Sequence, residues 1–169
     1  MTIISGFEKI NQIINACITR EMVQDGLLED VETFVNTYYD EGTVEEPVIW
    51  VTQHPTTVNK QPDISQTTEL NTPFEFDCGV YAVDIEESNM QSQNLANRVI
   101  LAILKNWLTV EQEVLGKRRI RNITLETYSP IGYVPIENKS DKLAMTGVIL
   151  NVNHVINWSL CCKQLNNGE

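Results

Sequence analysis

Residues 72–108, TPFEFDCGVYAVDIEESNMQSQNLANRVILAILKNWL, change their hydrophobic period part-way along, and that change decides the fold. From Thr72 to Ile85 the apolar residues alternate. Phe74, Phe76, Cys78, Val80 and Ala82 fall on one face of a strand, and Tyr81, Val83 and Ile85 on the other. Both faces turn apolar toward the end, which predicts a central strand covered on two sides. At Ser88 the period becomes helical. Ser88 with Gln91 three residues on makes a capping-box pattern. Leu95, Val99, Ile103 and Trp107 then follow one line, with Ala96, Ile100 and Leu104 beside it, so a helix over about 88–108 presents a stripe broad enough to lie on a sheet.

Working outward from this strand and helix, Ile3, Ile4, Phe7, Ile10, Ile14, Cys17 and Ile18 predict an amphipathic helix over 3–20. Leu27, Leu28, Val31, Phe34, Val35 and Tyr38 repeat the helical spacing after Gly26, which predicts a second helix over 27–39. Residues 47–52, PVIWVT, read as a short strand opened by a proline. Residues 53–72, with Pro55 and Pro62 among polar residues, read as a long loop. Beyond the long helix, Gly116-Lys117-Arg118-Arg119 forms a basic turn and residues 120–128 a third strand, broken by Pro130, Gly132 and Pro135. After a polar loop over 136–142, Val148, Leu150, Val152, Ile156 and Trp158 alternate with Asn151, Asn153 and Asn157 in a half-buried fourth strand. The tail, residues 164–169, is expected to fray.

The fold class expected is α/β of the α+β type: a mixed or antiparallel sheet of four or more strands, packed by an N-terminal helix and one long central helix. A chain of 169 residues, 42% hydrophobic, with no Pro/Gly/Ser-rich linker reads as one domain over 1–169 with a loop insertion at about 53–72. The longest apolar run, Val99 to Leu104, falls far short of the ~20 residues that a membrane helix needs. The N-terminus lacks a basic region, and Glu8 interrupts its apolar residues, so no secretory signal is read and assembly in a cytoplasm is expected.

No nucleophile elbow, phosphate-binding loop or dinucleotide fingerprint occurs in the sequence. The two histidines, His54 and His154, share no metal spacing with Cys78 or Cys161, so a zinc set would depend wholly on the fold. The four cysteines, Cys17, Cys78, Cys161 and Cys162, form no C-x-x-C pair and read as reduced thiols. The paired acids Glu45-Glu46 and Glu86-Glu87 flank element ends, where a solvated or dipole-complementing role is the common one. No enzyme, cofactor or metal is expected.

Charge is the informative quantity. The net charge is -11, yet residues 1–87 hold 17 acids and 3 bases while residues 88–169 hold 6 acids and 9 bases. Lys117, Arg118, Arg119 and Arg121 form the one basic cluster. Three readings stand open for it: a solvated turn, a contact with the acidic half of another copy, or a DNA contact. The DNA reading lacks interleaved aromatic residues for stacking. The self-contact reading takes Asp40, Glu41, Glu45 or Glu46 of a neighbour as the counter-charges.

The order of helix, two strands, long helix and two strands resembles the tail terminator proteins of tailed phages, also called tail completion or head-to-tail joining proteins. The stretches that carry the likeness are 74–84 (FEFDCGVYAVD), 94–104 (NLANRVILAIL) and the closing hairpin 120–158. The likeness spans about residues 1–160 and lies in layout rather than in a signature motif; the helix at 27–39 and the loop at 53–72 are additions to the usual pattern. The resemblance implies a ring, commonly a hexamer, at the head-proximal end of the virion tail. Such a ring stops polymerisation of the tail tube protein and offers a docking face to a head completion or connector protein. DNA passes through its lumen, and an acidic wall there would repel phosphate rather than hold it. The resemblance implies no catalysis, cofactor or membrane. Another head-tail adaptor, or a small ligand-binding or enzymatic α+β domain, are the alternatives, since fold alone does not fix function.

Overall fold

The computed structural model describes residues 6–35, 47–60, 67–81, 84–135 and 142–157. It is an α+β fold. Two helices, α1 (Gly6–Thr19) and α2 (Ile85–Leu115), pack on a mixed six-stranded sheet of β1 (Thr33–Val35), β2 (Val48–Gln53), β3 (Thr57–Lys60), β4 (Thr67–Tyr81), β5 (Ile120–Pro135) and β6 (Lys142–Asn157). The strands lie in the order β1-β2-β4-β6-β5, and β3 extends the β2 side by pairing with β4. Among these strands only β1 runs parallel to its neighbour, through Thr33↔Val48 to Val35↔Trp50.

As its two-sided apolar pattern predicts, β4 is central, paired along its whole length with β6 and over its second half with β2. It begins at Thr67, five residues before the expected start, and much of the expected loop 53–72 is a β3–β4 hairpin; residues 61–66 lie outside the described residues. The correction follows from side chains that sequence reading takes as polar. Thr68 and Thr72 are β-branched and buried on the same face as Leu70. Pro73 is tolerated in this central strand because it faces the junction between β2 and β3, where its carbonyl accepts the His54 N–H at 2.9 Å.

The expected helix over 27–39 does not form across its described part. Residues 27–30 are turns and Thr33–Val35 is a strand; residues 36–39 lie outside the described residues. The backbone donors there are taken by other partners. Leu28 N–H goes to the Glu21 carbonyl, and Glu32 and Thr33 both donate to the Pro47 carbonyl. Leu28 and Val31 are buried, so the helix-like spacing records core contacts made from turns.

Helix α2 runs longer than its pattern at both ends. Asp84, not Ser88, caps it: Asp84 Oδ1 accepts the N–H groups of Glu86 and Glu87 at 3.0 and 3.1 Å. The Ser88 hydroxyl is buried and donates instead to the Tyr81 carbonyl. The helix continues past Leu108 to Leu115 and stops at Gly116, whose φ of 66° closes a left-handed cap. Its 31 residues span ~46 Å at 1.5 Å per residue, nearly the length of the β5–β6 hairpin. β5 in turn does not break at Pro130 and Gly132. It absorbs them in a bulge, which an edge strand allows because its outer donors need no partner.

Both helices cover one face of the sheet. Ile10, Ile13, Ile14 and Ile18 of α1 and Leu95, Val99 and Ile103 of α2 meet Phe74, Phe76, Val148 and Leu150, all essentially buried. Each such side chain contributes roughly 1.5–3 kcal/mol relative to exposure. The other face carries a smaller cluster of Val48, Trp50, Leu143 and Met145, then a row of amides in which Asn59 donates to Asn153 and Asn153 to Asn122. Among the described residues, no helix is long and apolar enough to cross a membrane.

Candidate interface at the edges of the sheet

Gly116 reverses the chain out of α2, and the next residues enter β5 at the edge of the sheet. This local geometry gathers Lys117, Arg118, Arg119 and Arg121 around one open cleft of about 480 Å³, completed by Thr67, Ile120 and Val155. Among the described residues none of the four cations pairs with a carboxylate; the ion pairs present belong to Arg20, His54, Arg98 and Lys105. Like charges held together without counter-ions make the cleft an anion-attracting surface.

A buried glutamate holds the turn in place. Glu111 is fully buried, and its Oε1 accepts the N–H groups of Arg119 at 2.6 Å and Ile120 at 2.5 Å. The Arg119 carbonyl accepts from Val155 N–H at 2.9 Å, so the turn is stitched to β6 as well. Burial pushes the nearby His154 imidazole down to about 4, and the positive charge of Arg119 pushes it the same way. His154 is therefore neutral at pH 7 and bonds Thr72 at 2.9 Å.

At the opposite flank a second buried glutamate holds a second turn. Glu21 Oε2 accepts the Leu27 N–H at 3.1 Å, and Glu21 Oε1 accepts from Asn106 at 2.6 Å, with Lys105 also in contact. The Asn106 bond, foremost, holds its carboxyl below the usual carboxylate range. Asp25 sits at φ 65°, and a Cβ on Gly26 would stand 2.2 Å from the Glu21 carbonyl oxygen, so the chain is tightly wound here. This turn carries Asp25, Glu29, Asp30 and Glu32, all exposed, and leads straight into β1. Asp30 is held by Arg98, whereas no ion pair engages Asp25, Glu29 or Glu32 among the described residues.

The sequence-predicted cations are thus brought together. Their expected counter-charges, Asp40, Glu41, Glu45 and Glu46, lie outside the described residues. Glu86 and Glu87 sit in the first turn of α2, with their backbone N–H groups on the Asp84 cap. The histidines stand on opposite faces of the sheet. His54 reaches Glu75 at 2.7 Å, His154 points into the helix-covered face, and Cys78 is buried in the core; Cys161 lies outside the described residues. Among the described residues, no group of three or more His, Cys, Asp or Glu could hold a metal ion.

Sequence reasoning missed Glu21 and Glu111, the two residues that shape the turns. Each looks like an ordinary solvated acid on a helix end. The one available signal was the glycine that follows each, Gly26 and Gly116, marking a sharp turn within reach. No protein-family model matches the chain, and no curated protein matches it.

Proposed function

We propose that this chain is a non-enzymatic virion subunit of the tail-terminator type. It assembles with copies of itself into a ring, commonly of six, at the head-proximal end of a phage tail. There the ring stops growth of the tail tube, receives a head connector, and lets DNA pass through an acidic lumen. The observation that carries this reading is the cluster of four cations without counter-ions among the described residues, on a chain whose net charge is -11. A protein with that excess of acid supplies its own complementary surface, and contacts between two different patches of one surface generate rings when they close. The likeness in layout, an N-terminal helix and a long helix followed by a closing β5–β6 hairpin, supports the same reading.

Exposed ion pairs contribute only ~0–1 kcal/mol each, so apolar contact must supply most of the association, with charge setting its direction and rate. The test is the molar mass by light scattering, followed by negative-stain imaging of the protein with tail tubes. Discrete rings that cap tube ends are expected. Binding to the head portal instead of the tube would reassign the chain to the head-tail adaptors. A monomer that ignores both would end the proposal.

A further inference from the structure

The ring reading leaves open which surface meets the basic cleft. Resting on that reading, we infer that the cleft at the β5 edge of one copy receives the acidic turn at the β1 edge of the next. The two features lie at opposite ends of the strand order, β1 at one and β5 at the other, so the contact is head-to-tail. Each is charged and lacks counter-ions in its own copy among the described residues: Lys117, Arg118, Arg119 and Arg121 on one side, Asp25, Glu29 and Glu32 on the other.

Both turns are also held rigid before they meet. Glu111 fixes the basic turn through two backbone N–H groups, and Glu21 fixes the acidic turn through Leu27 N–H and Asn106. Association then costs little ordering of backbone, one of the terms that oppose the joining of two loops.

Apolar surface is exposed on the same molecule. On its outer face α2 leaves Leu101, Leu104 and Leu108 exposed at three- and four-residue spacing, Leu101 by 53%. β5 adds Leu125 and Tyr128, and the Tyr128 hydroxyl donates to the Gln93 carbonyl, tying the strand to that helix. On the acidic turn Val23 is 55% exposed. Exposed apolar side chains grouped on one surface mark association sites on soluble proteins, and the three leucines share one line of α2.

The pairing is tested with two charge-reversed proteins. Lys117→Glu with Arg118→Glu and Arg119→Glu leaves only Arg121 positive at the cleft and makes both edges acidic; Glu29→Lys with Glu32→Lys makes both edges basic. Matching thermal melts establish that each is folded. Under conditions in which the unaltered protein forms rings, each variant alone should sediment as a monomer, because like edges repel. Mixed in equal amounts, they should assemble again, with the two kinds alternating. Variants that assemble alone as the unaltered chain does, or a mixture that stays monomeric, overturn the pairing while leaving the ring reading standing. An unaltered chain that forms no ring, alone or on tube ends, overturns both.

Discussion

Replacing Glu111 with alanine should cost this protein more than its place among charged residues near a helix end suggests. Its carboxylate is fully buried and accepts two backbone N–H groups, those of Arg119 and Ile120. A hydrogen bond to a charged acceptor is worth about 1.5–3 kcal/mol. Alanine would remove two of them and leave the buried Ile120 N–H without a partner. Part of that loss is returned, because burying a carboxylate is itself costly, and Glu111 Oε2 has no partner among the described residues. The balance is a loss of about 2–4 kcal/mol. For a chain of this length each kcal/mol moves the melting temperature by ~2–4 °C, so a fall of roughly 4–16 °C is expected. Urea denaturation should show a lower midpoint at unchanged slope. Glu111→Gln keeps one acceptor oxygen and should lose about 1 kcal/mol. An alanine variant melting within ~1 °C of the unaltered protein would refute the claim that this carboxylate organises the basic turn.

Other consequences follow from the same contacts. Gly26→Ala places a methyl group 2.2 Å from the Glu21 carbonyl oxygen, and the required backbone shift should destabilise by ~1–3 kcal/mol in a denaturant titration. Burial first, then the charge of Glu75, raises the Asp77 carboxyl from 3.8 to about 6, with His54 opposing. The folded state therefore binds the extra proton, and stability is gained as pH falls through that window and lost as pH rises through it. His154 runs the other way: its folded value of about 4 lies below 6.5, so stability is present above that value and lost as pH falls toward 4. The two slopes oppose each other, and single variants should separate them. Asp77→Asn should gain ~1 kcal/mol above pH 6 after solvent screening is allowed for, and expose the acid destabilisation due to His154; His154→Gln should remove it. Unfolding free energies across this range check both. Burial also pushes the Cys17 thiol up to about 12 and raises that of Cys78. On a Cys161→Ser, Cys162→Ser background neither should react with a thiol reagent at mild alkaline pH until the protein unfolds, and rapid labelling would contradict the core placement.

The fold was legible where a period is sustained. The alternation around Phe74 and Phe76, the stripe from Leu95 to Trp107, and the alternation from Val148 to Ile156 each named the correct element. It was illegible where partners distant in sequence decide. Thr68 and Leu70 read as loop residues until β3 and β6 bury them. Leu28 and Val31 read as helix until β2 claims the backbone beside them. Pro130 reads as a strand end unless the strand is known to be an edge. The candidate site divides in the same way. Four cations within five residues are visible in any sequence, but the acids of the turn 25–32 acquire meaning only once β1 and β5 are seen at opposite edges. The roles of Glu21 and Glu111 rest on backbone geometry that no side-chain pattern records.

The molar mass of the unaltered protein, measured by light scattering over rising concentration and at low and high salt, tests the head-to-tail account most directly. The account predicts a discrete assembly, about 115 kDa for six copies of the 19.2 kDa chain, that weakens as salt screens the opposed edges. A 19.2 kDa species at every concentration and every salt that also forms no ring on tail-tube ends would contradict it.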